Sequence, residues 1–174
     1  MDETTELAFA ARDGAVDSVQ AFIKATERDV RAFCLVVGRA TETDDLVQET
    51  FIRAVVGLST FRGESSARSW LLGIARHVCA DDHRSSKRQL AIVDRVRHTP
   101  SAHTGTPHDG ALALHWLLYE LERDQLEAFV LTQVQGLSYA ETAQVCECAI
   151  GTIRSRVSRA RARLVALLEA DTAS

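Results

Sequence analysis

Apolar positions recur at helical spacing along most of the chain, and the two-residue alternation of a strand is absent. Leu7, Ala10 and Ala11, followed by Val16, Val19 and Phe22, predict a first helix that is broken or bent near Gly14. Val30, Phe33, Cys34 and Val37 predict a second, stopped at Gly38, where a glycine C-cap fits. Thr41 or Thr43 is placed to cap a third, with Val47, Phe51, Ala54, Val55 and Leu58 as its apolar stripe. Gly57, near the end of that helix, suits a left-handed cap. Residues 58–66 form a polar loop with turn chemistry. From Ala67 to about Ser85 the pattern predicts a long fourth helix, with Trp70, Leu71, Ile74, Ala75 and Val78 on one side.

The pattern then lapses. Residues 87–110 hold both prolines, Pro100 and Pro107, with Gly105, Gly110 and scattered Ser, Thr and His, and read as a linker. Helical spacing resumes at roughly 111–120, 123–134, 138–146 and 150–169. The fold class is therefore all-α, with two small helical domains on a flexible linker: 1–86, then 87–110, then 111–174. The last two helices carry a specific signature. Ser138-Tyr139-Ala140-Glu141 is a capping box, in which the serine caps the helix and the glutamate reaches back to its amide. After a brief turn at Cys146 to Ala149 comes Gly151 to Leu164, with five arginines and no acidic residue. On a helical wheel Ile153, Val157, Ala160 and Leu164 share one stripe. Ser155, Ser158 and Ala162 lie opposite, flanked by Arg154 and Arg159. Two short helices, a tight turn and a basic second helix make a helix-turn-helix suited to a DNA major groove. A solvated basic surface helix is the plainer reading of the arginines alone.

Charge sharpens this picture. The chain is acidic overall, at −4, but residues 61–98 carry +4 and residues 150–174 carry +3. The stretches around them, 1–60 and 99–149, carry −5 and −6. Two basic islands in acidic surroundings should bind DNA weakly alone, because the acidic stretches oppose phosphate attraction. A partner that covers the acidic surfaces is the remedy. No apolar run is long enough to cross a membrane, and the acidic start Met1-Asp2-Glu3 is unlike a signal peptide, so a cytoplasmic location is expected. Cys34, Cys79, Cys146 and Cys148 lie on or beside predicted helices and read as small buried residues rather than bridges. The Cys146-Glu147-Cys148 spacing does not match paired zinc motifs, so no metal and no cofactor are expected.

A further acidic segment, Asp44-Asp45-Leu46-Val47-Gln48-Glu49-Thr50-Phe51, opens the third helix. By itself it is an ordinary first turn complementing the helix dipole. Asp45, Gln48, Glu49 and Ile52 point away from its apolar stripe. Taken in order, DDLVQETF, FRGESSARSWLLGIARH and LSYAETAQVCECAIGTIRSRVSRAR resemble the extracytoplasmic-function sigma factors of bacterial RNA polymerase, from about residue 6 to 168. The resemblance implies a promoter-specificity subunit that binds core RNA polymerase, reads −35 and −10 elements and assists melting. It places Asp45, Leu46, Gln48, Glu49 and Phe51 against the polymerase. It gives the single-stranded −10 non-template strand to Phe61, Arg62, Ser65 and Ser66 in the loop, and to Arg68, Arg76, His77, Arg84 and Arg88 along the backbone. For the duplex −35 element it implies Arg154, Ser155, Ser158 and Arg159 as base readers. Arg156, Arg161, Arg163 and Thr152 then fall to phosphates.

Trp70 shares the stripe of Ile74 and Val78, which favours a core role over base stacking. Asp81 and Asp82 would repel phosphate and are expected on the far side or paired with Arg84 or Arg88. The sequence departs from the family pattern at Ala149, often proline, at Ser158, often bulkier, and at His77, often asparagine. These leave the exact promoter bases open. The resemblance also implies an anti-sigma factor as the regulator of many members. No nucleophile–base set, phosphate-binding glycine loop or metal cluster points to an enzyme. The rival reading is a stand-alone helix-turn-helix regulator, which accounts for residues 138–164 but leaves 44–51 and 58–88 without a purpose.

Overall fold

The computed structural model of the chain describes residues 2–38, 42–94 and 117–172, without the side chains of 87–94 and 171–172. The described residues are mostly helical and contain no strand. The N-terminal half is four helices: α1 (Glu3–Ala11), α2 (Val16–Val37), α3 (Thr43–Leu58) and α4 (Ala67–Asp94). The C-terminal half holds α5 (Arg123–Phe129), a π-helical turn (Val130–Val134), α6 (Tyr139–Val145) and α7 (Ile150–Thr172).

The predicted break at Gly14 is complete, with that glycine in the left-handed region at φ 75°. The two helices predicted on either side of residue 25 are instead one, because nothing between Phe22 and Val30 interrupts the ladder. Thr26 lies in this stretch, buried, and its hydroxyl donates to the Phe22 carbonyl at 2.8 Å, so it crosses the core without an unmet polar group. Gly38 does end α2, its N–H donating to the Cys34 carbonyl at 2.9 Å. Thr43 does not cap α3: it is the first helical residue and is buried, while Glu42 precedes it with no side-chain cap bond. Thr41 lies outside the described residues. Gly57 is not a left-handed cap either. It lies inside α3, where a Cβ would meet Trp70 Cζ2 at 3.0 Å. Its role is to let the indole lie close.

The core of the N-terminal half joins Phe22, Val30 and Phe33 of α2 to Ala54 and Leu58 of α3 and Leu71, Leu72 and Ala75 of α4. Each Phe, Leu and Val side chain among these contributes roughly 1.5–3 kcal/mol of burial. Asp2 caps α1 through Thr5 N at 3.0 Å, and Thr5 Oγ1 in turn accepts from Ala67 N at 3.0 Å. That chain of bonds fixes the start of α4, and so the loop before it, against α1. In the C-terminal half, Ile153, Val157 and Ala160 of α7 pack with Val130, Leu131 and Val145. The predicted stripe of α7 is the buried one, with Leu164 partly covered. Of the helix predicted over 111–120, only 117–119 is described as helical, followed by a turn. The fourth helix runs on to Asp94, past the predicted linker start at 87; residues 95–110 lie outside the described residues.

Candidate nucleic-acid interface

The helix-turn-helix forms as its capping box dictates. Ser138 Oγ accepts from Glu141 N at 3.2 Å, and Glu141 accepts from Ser138 N at 2.9 Å. The Ser138 bonds hold the Glu141 carboxyl below its ordinary range. The turn into α7 uses Glu147 at φ 52°, the one non-glycine residue in the left-handed region among those described. On α7, Arg154, Ser155, Ser158 and Arg159 are exposed on the side away from Ile153 and Val157. Ser155 Oγ donates to the Thr152 carbonyl at 2.9 Å, which leaves its oxygen free to accept. The arginines divide. Arg156 bonds Asp124 and Cys148, Arg161 donates to Gln133 at 2.7 Å, and Arg163 pairs with Glu120 at 3.6 Å. These three hold α7 to its own domain, nearer the body as expected but engaged there.

In the 58–66 loop the structure separates reading groups from framework. Phe61 is 4 % exposed, sandwiched between Phe9 and Trp70 at centroid distances of 5.3 and 5.1 Å. The ring, expected against DNA, is packed in the core and shows only an edge to the loop cavity. Ser66 is likewise framework, since its hydroxyl accepts from Ser69 N at 3.1 Å and caps the first turn of α4. Gly63 adopts φ 71° and passes so close to Phe9 that a Cβ would lie 2.7 Å from its Cζ. Only glycine meets both demands. Arg62 projects into solvent, and a cavity of about 430 Å³ opens between it, Thr60, Gly63, Ser65 and Trp70. Trp70 is half-buried: it packs on Phe61 and beside Gly57 and also lines that cavity, so it is both framework and wall.

The basic residues of α4 are occupied. Arg68 bonds Asp29 and, at 3.0 Å, Gln135 of the C-terminal half. Arg76 donates to Glu127 at 2.7 Å, and His77 Nε2 lies 3.1 Å from Glu147. Glu127 is 4 % exposed at its side chain and also binds Arg123, so one buried carboxylate joins an arginine from each half. Burial opposes the charge on Arg76, but the Glu127 bond keeps its pKa above the ordinary arginine value. Arg84 faces Asp81, which also takes Arg53 at 2.8 Å; the two arginines hold the Asp81 carboxyl below its usual range. Asp81 therefore pairs with Arg84, as the sequence suggested. The Arg88 side chain lies outside the described set. The acceptors on the C-terminal half were not legible, because contacts 51 to 70 positions apart leave no periodic trace.

On α3, Asp45, Gln48, Glu49 and Ile52 face outward as predicted, and Glu49 accepts from Arg53 at 2.7 Å. Leu46 and Phe51, expected against a partner, are buried in the core instead. Val55, expected in the stripe, is 41 % exposed, and Val56 is 74 % exposed. This outward face is therefore acidic at its start and apolar beyond it. Cys34, Cys79 and Cys146 are buried free thiols and Cys148 is partly covered. Among the described residues no helix is long and apolar enough to span a membrane.

Comparison with known proteins finds a family model for each half of the chain. Residues 22–89 match the family model for sigma-70 region 2, and residues 111–164 match that for sigma-70 region 4. The chain is 41 % identical to the ECF RNA polymerase sigma factor SigC of Mycobacterium tuberculosis, over 98 % of this chain and 94 % of that one. It is 38 % identical to EcfG of Rhodopseudomonas palustris, over 90 % and 88 %. The sigma factor RpoE of Bartonella quintana, solved in complex with the anti-sigma factor NepR, superposes with TM-score 0.77 at 32 % identity, covering 90 % of this chain and 99 % of that one. CnrH, solved with the cytosolic domain of CnrY, gives TM-score 0.75 at 27 % identity, covering 98 % and 99 %.

Proposed function

The chain belongs to the extracytoplasmic-function sigma factors of the sigma-70 family, and from that we propose how its two halves read a promoter. As a sigma factor it binds core RNA polymerase and directs promoter-specific transcription initiation. The −35 duplex falls to α7, where Arg154 and Arg159 reach base edges and Ser155 and Ser158 let the backbone approach. The observation that carries this assignment is the split among the arginines: Arg154 and Arg159 are exposed and, among the described residues, unpaired, while Arg156, Arg161 and Arg163 are bonded to their own domain. Thr152, half-exposed in the first turn of α7, takes a phosphate, with Arg161 and Arg163 following where they release their partners.

The −10 strand falls to the loop cavity and to α4. Arg62 and Ser65 bond a base turned out beside Trp70, and Arg68, Arg76 and His77 track its phosphates. Phe61 forms the inner wall of the cavity, and Ser66 supports it from outside. Since Arg68, Arg76 and His77 are held by the C-terminal half, melting requires the two halves to part, and polymerase supplies the energy by gripping the outward face of α3. That face offers Asp45, Gln48 and Glu49 beside Ile52 and Val56. An anti-sigma protein is the proposed regulator, covering the same apolar residues together with Val165 and Leu168 of α7. The protein acts in the cytoplasm, where its template lies, and the bond-making chemistry belongs to polymerase.

Run-off transcription with purified core polymerase on genomic fragments tests the reading. Discrete products that weaken with Arg154→Ala support it. Strong sequence-specific binding by the free protein, with no polymerase-dependent initiation, would favour a stand-alone regulator.

A further inference from the structure

Promoter reading uses none of the cysteines, yet two of them form a built pair. Cys34 on α2 and Cys79 on α4 are 0 % and 1 % exposed, and their sulfurs lie 4.0 Å apart with the Cys79 thiol donating. They are 45 positions apart in sequence. Cys79 is also a wall of a cavity of about 410 Å³ between the two halves. Its rim includes Gly38, Tyr119, Leu121, Arg123 and Leu126. Tyr119 closes one side, with its hydroxyl 3.5 Å from the Gly38 carbonyl. The two sulfurs thus differ in access: one meets the cavity, and the other lies behind it.

We propose that Cys34 and Cys79 are a dithiol modification site, which an oxidant of the peroxide class entering the interdomain cavity converts into a disulfide tying α2 to α4. Peroxide meets Cys79 first. Its sulfur forms a bond to one peroxide oxygen, the O–O bond breaks, and the departing hydroxide leaves as water with the thiol proton. The Cys34 sulfur then attacks the sulfenic sulfur, the S–S bond forms, the S–O bond breaks, and a second water carries off the Cys34 proton. Two electrons pass from the sulfurs to one peroxide. Access sets this order, because Cys79 borders the cavity and Cys34 lies behind it. Hydrogen bonding to Cys34 and burial push the Cys79 thiol up, which makes the first step slow. Cys34, 4.0 Å behind Cys79, is the sulfur placed to resolve the sulfenic acid. Bond formation brings the sulfurs from 4.0 Å to roughly 2 Å. The bridge would enclose α3, so oxidation would fasten the polymerase-facing helix and the strand-holding helix into one closed loop.

The test uses the reduced full-length chain and hydrogen peroxide, followed by alkylation of remaining thiols under denaturing conditions and mass mapping of peptides. The expected product is a monomer with a Cys34–Cys79 linked peptide, two hydrogens lighter, with Cys146 and Cys148 still alkylated. Cys34→Ser should abolish the link and let dimedone trap a sulfenic acid at Cys79. Tyr119→Ala, which opens the cavity mouth, should speed linking several-fold. Oxidation of the partly exposed Cys148 while Cys34 and Cys79 stay alkylated would overturn the proposal, as would a linked peptide pairing either of them with Cys146. No acceleration in Tyr119→Ala would overturn the cavity route. None of these readouts depends on transcription.

Discussion

Replacing Glu127 by alanine should open the molecule. The carboxylate is 4 % exposed and receives Arg76 at 2.7 Å and Arg123 at 2.8 Å. A hydrogen bond to a charged group contributes about 1.5–3 kcal/mol. Arg76 and Arg123 remain 20 % and 29 % exposed at their side chains, so each regains some water when the partner is lost. That exposure brings the interdomain share, the Arg76 bond, down to about 1.5–2 kcal/mol. At tenfold per 1.4 kcal/mol, the ratio of closed to parted forms should fall by roughly ten- to thirty-fold. The Arg123 bond lies within the C-terminal half, and its loss should appear separately as a lower melting temperature of that half. A double-mutant cycle with Arg76→Ala isolates the coupling between the two side chains. Two assays read the opening: small-angle scattering, where the radius of gyration should rise, and fluorescence anisotropy with a labelled single-stranded oligonucleotide, where affinity should rise as Arg68 and Arg76 are freed. A Glu127→Ala protein that melts with a folded C-terminal half, yet keeps the wild-type radius and the wild-type affinity, would refute the reasoning.

Arg154→Ala should cost about 1–3 kcal/mol in holoenzyme binding to the −35 duplex and relax specificity at one position, measured by competition with base-substituted promoters. Arg156→Ala should instead lower thermal stability, since its partners are Asp124 and Cys148, and a melting scan would show it. Ser138→Ala removes the capping box and should cost about 1 kcal/mol in denaturant titration. Acid should destabilise the fold through Asp2, Asp81 and Glu141. Each is held below its ordinary value, 3.8 for the aspartates and 4.5 for the glutamate, by Thr5, by Arg53 and Arg84, and by Ser138. The unfolded chain takes up those protons first, so their contribution is complete above about pH 4.5 and drains away as pH falls through the lowered values. A melting temperature that stays level from pH 5 down to about pH 3 would contradict this, and Asp81→Asn should flatten part of the fall.

The sequence was most legible where one helix decides its own surroundings. The stripe Ile153, Val157, Ala160 follows from the helical period alone, and the capping box at Ser138 from contacts three residues long. Legibility failed where a second element decides. Phe51 is on the apolar stripe and is buried as that stripe implies, whereas the family resemblance sets it and Leu46 against a partner; Phe61 is covered by Phe9 of α1 and by Trp70. Gly57 carries the composition of a cap but is small because an indole lies on it. Thr43 reads as a cap, and burial makes it a helical residue instead. Least visible was the role of Glu127 and Gln135. Both look like ordinary polar positions of an acidic segment, and only the fold brings them to Arg76 and Arg68.

That last contact gives the uneven charge along the chain a physical meaning. The arginines proposed for promoter phosphates are satisfied in the closed molecule by Glu127, Gln135 and Asp29, donors meeting acceptors much as they would on DNA. Internal acceptors and phosphates therefore compete for the same groups, and DNA binding by the free protein must first break bonds worth several kcal/mol. Polymerase changes the balance without adding a DNA contact, provided it grips α3 more tightly in the parted form. The shift can be no larger than that difference in affinity. Weakening the internal acceptors should thus raise DNA affinity in the free protein and leave it nearly unchanged in the holoenzyme, where the halves are already apart. Equal gains in both states would mean that the acidic segment repels DNA through its overall charge, and that the specific pairs to Arg68 and Arg76 are incidental.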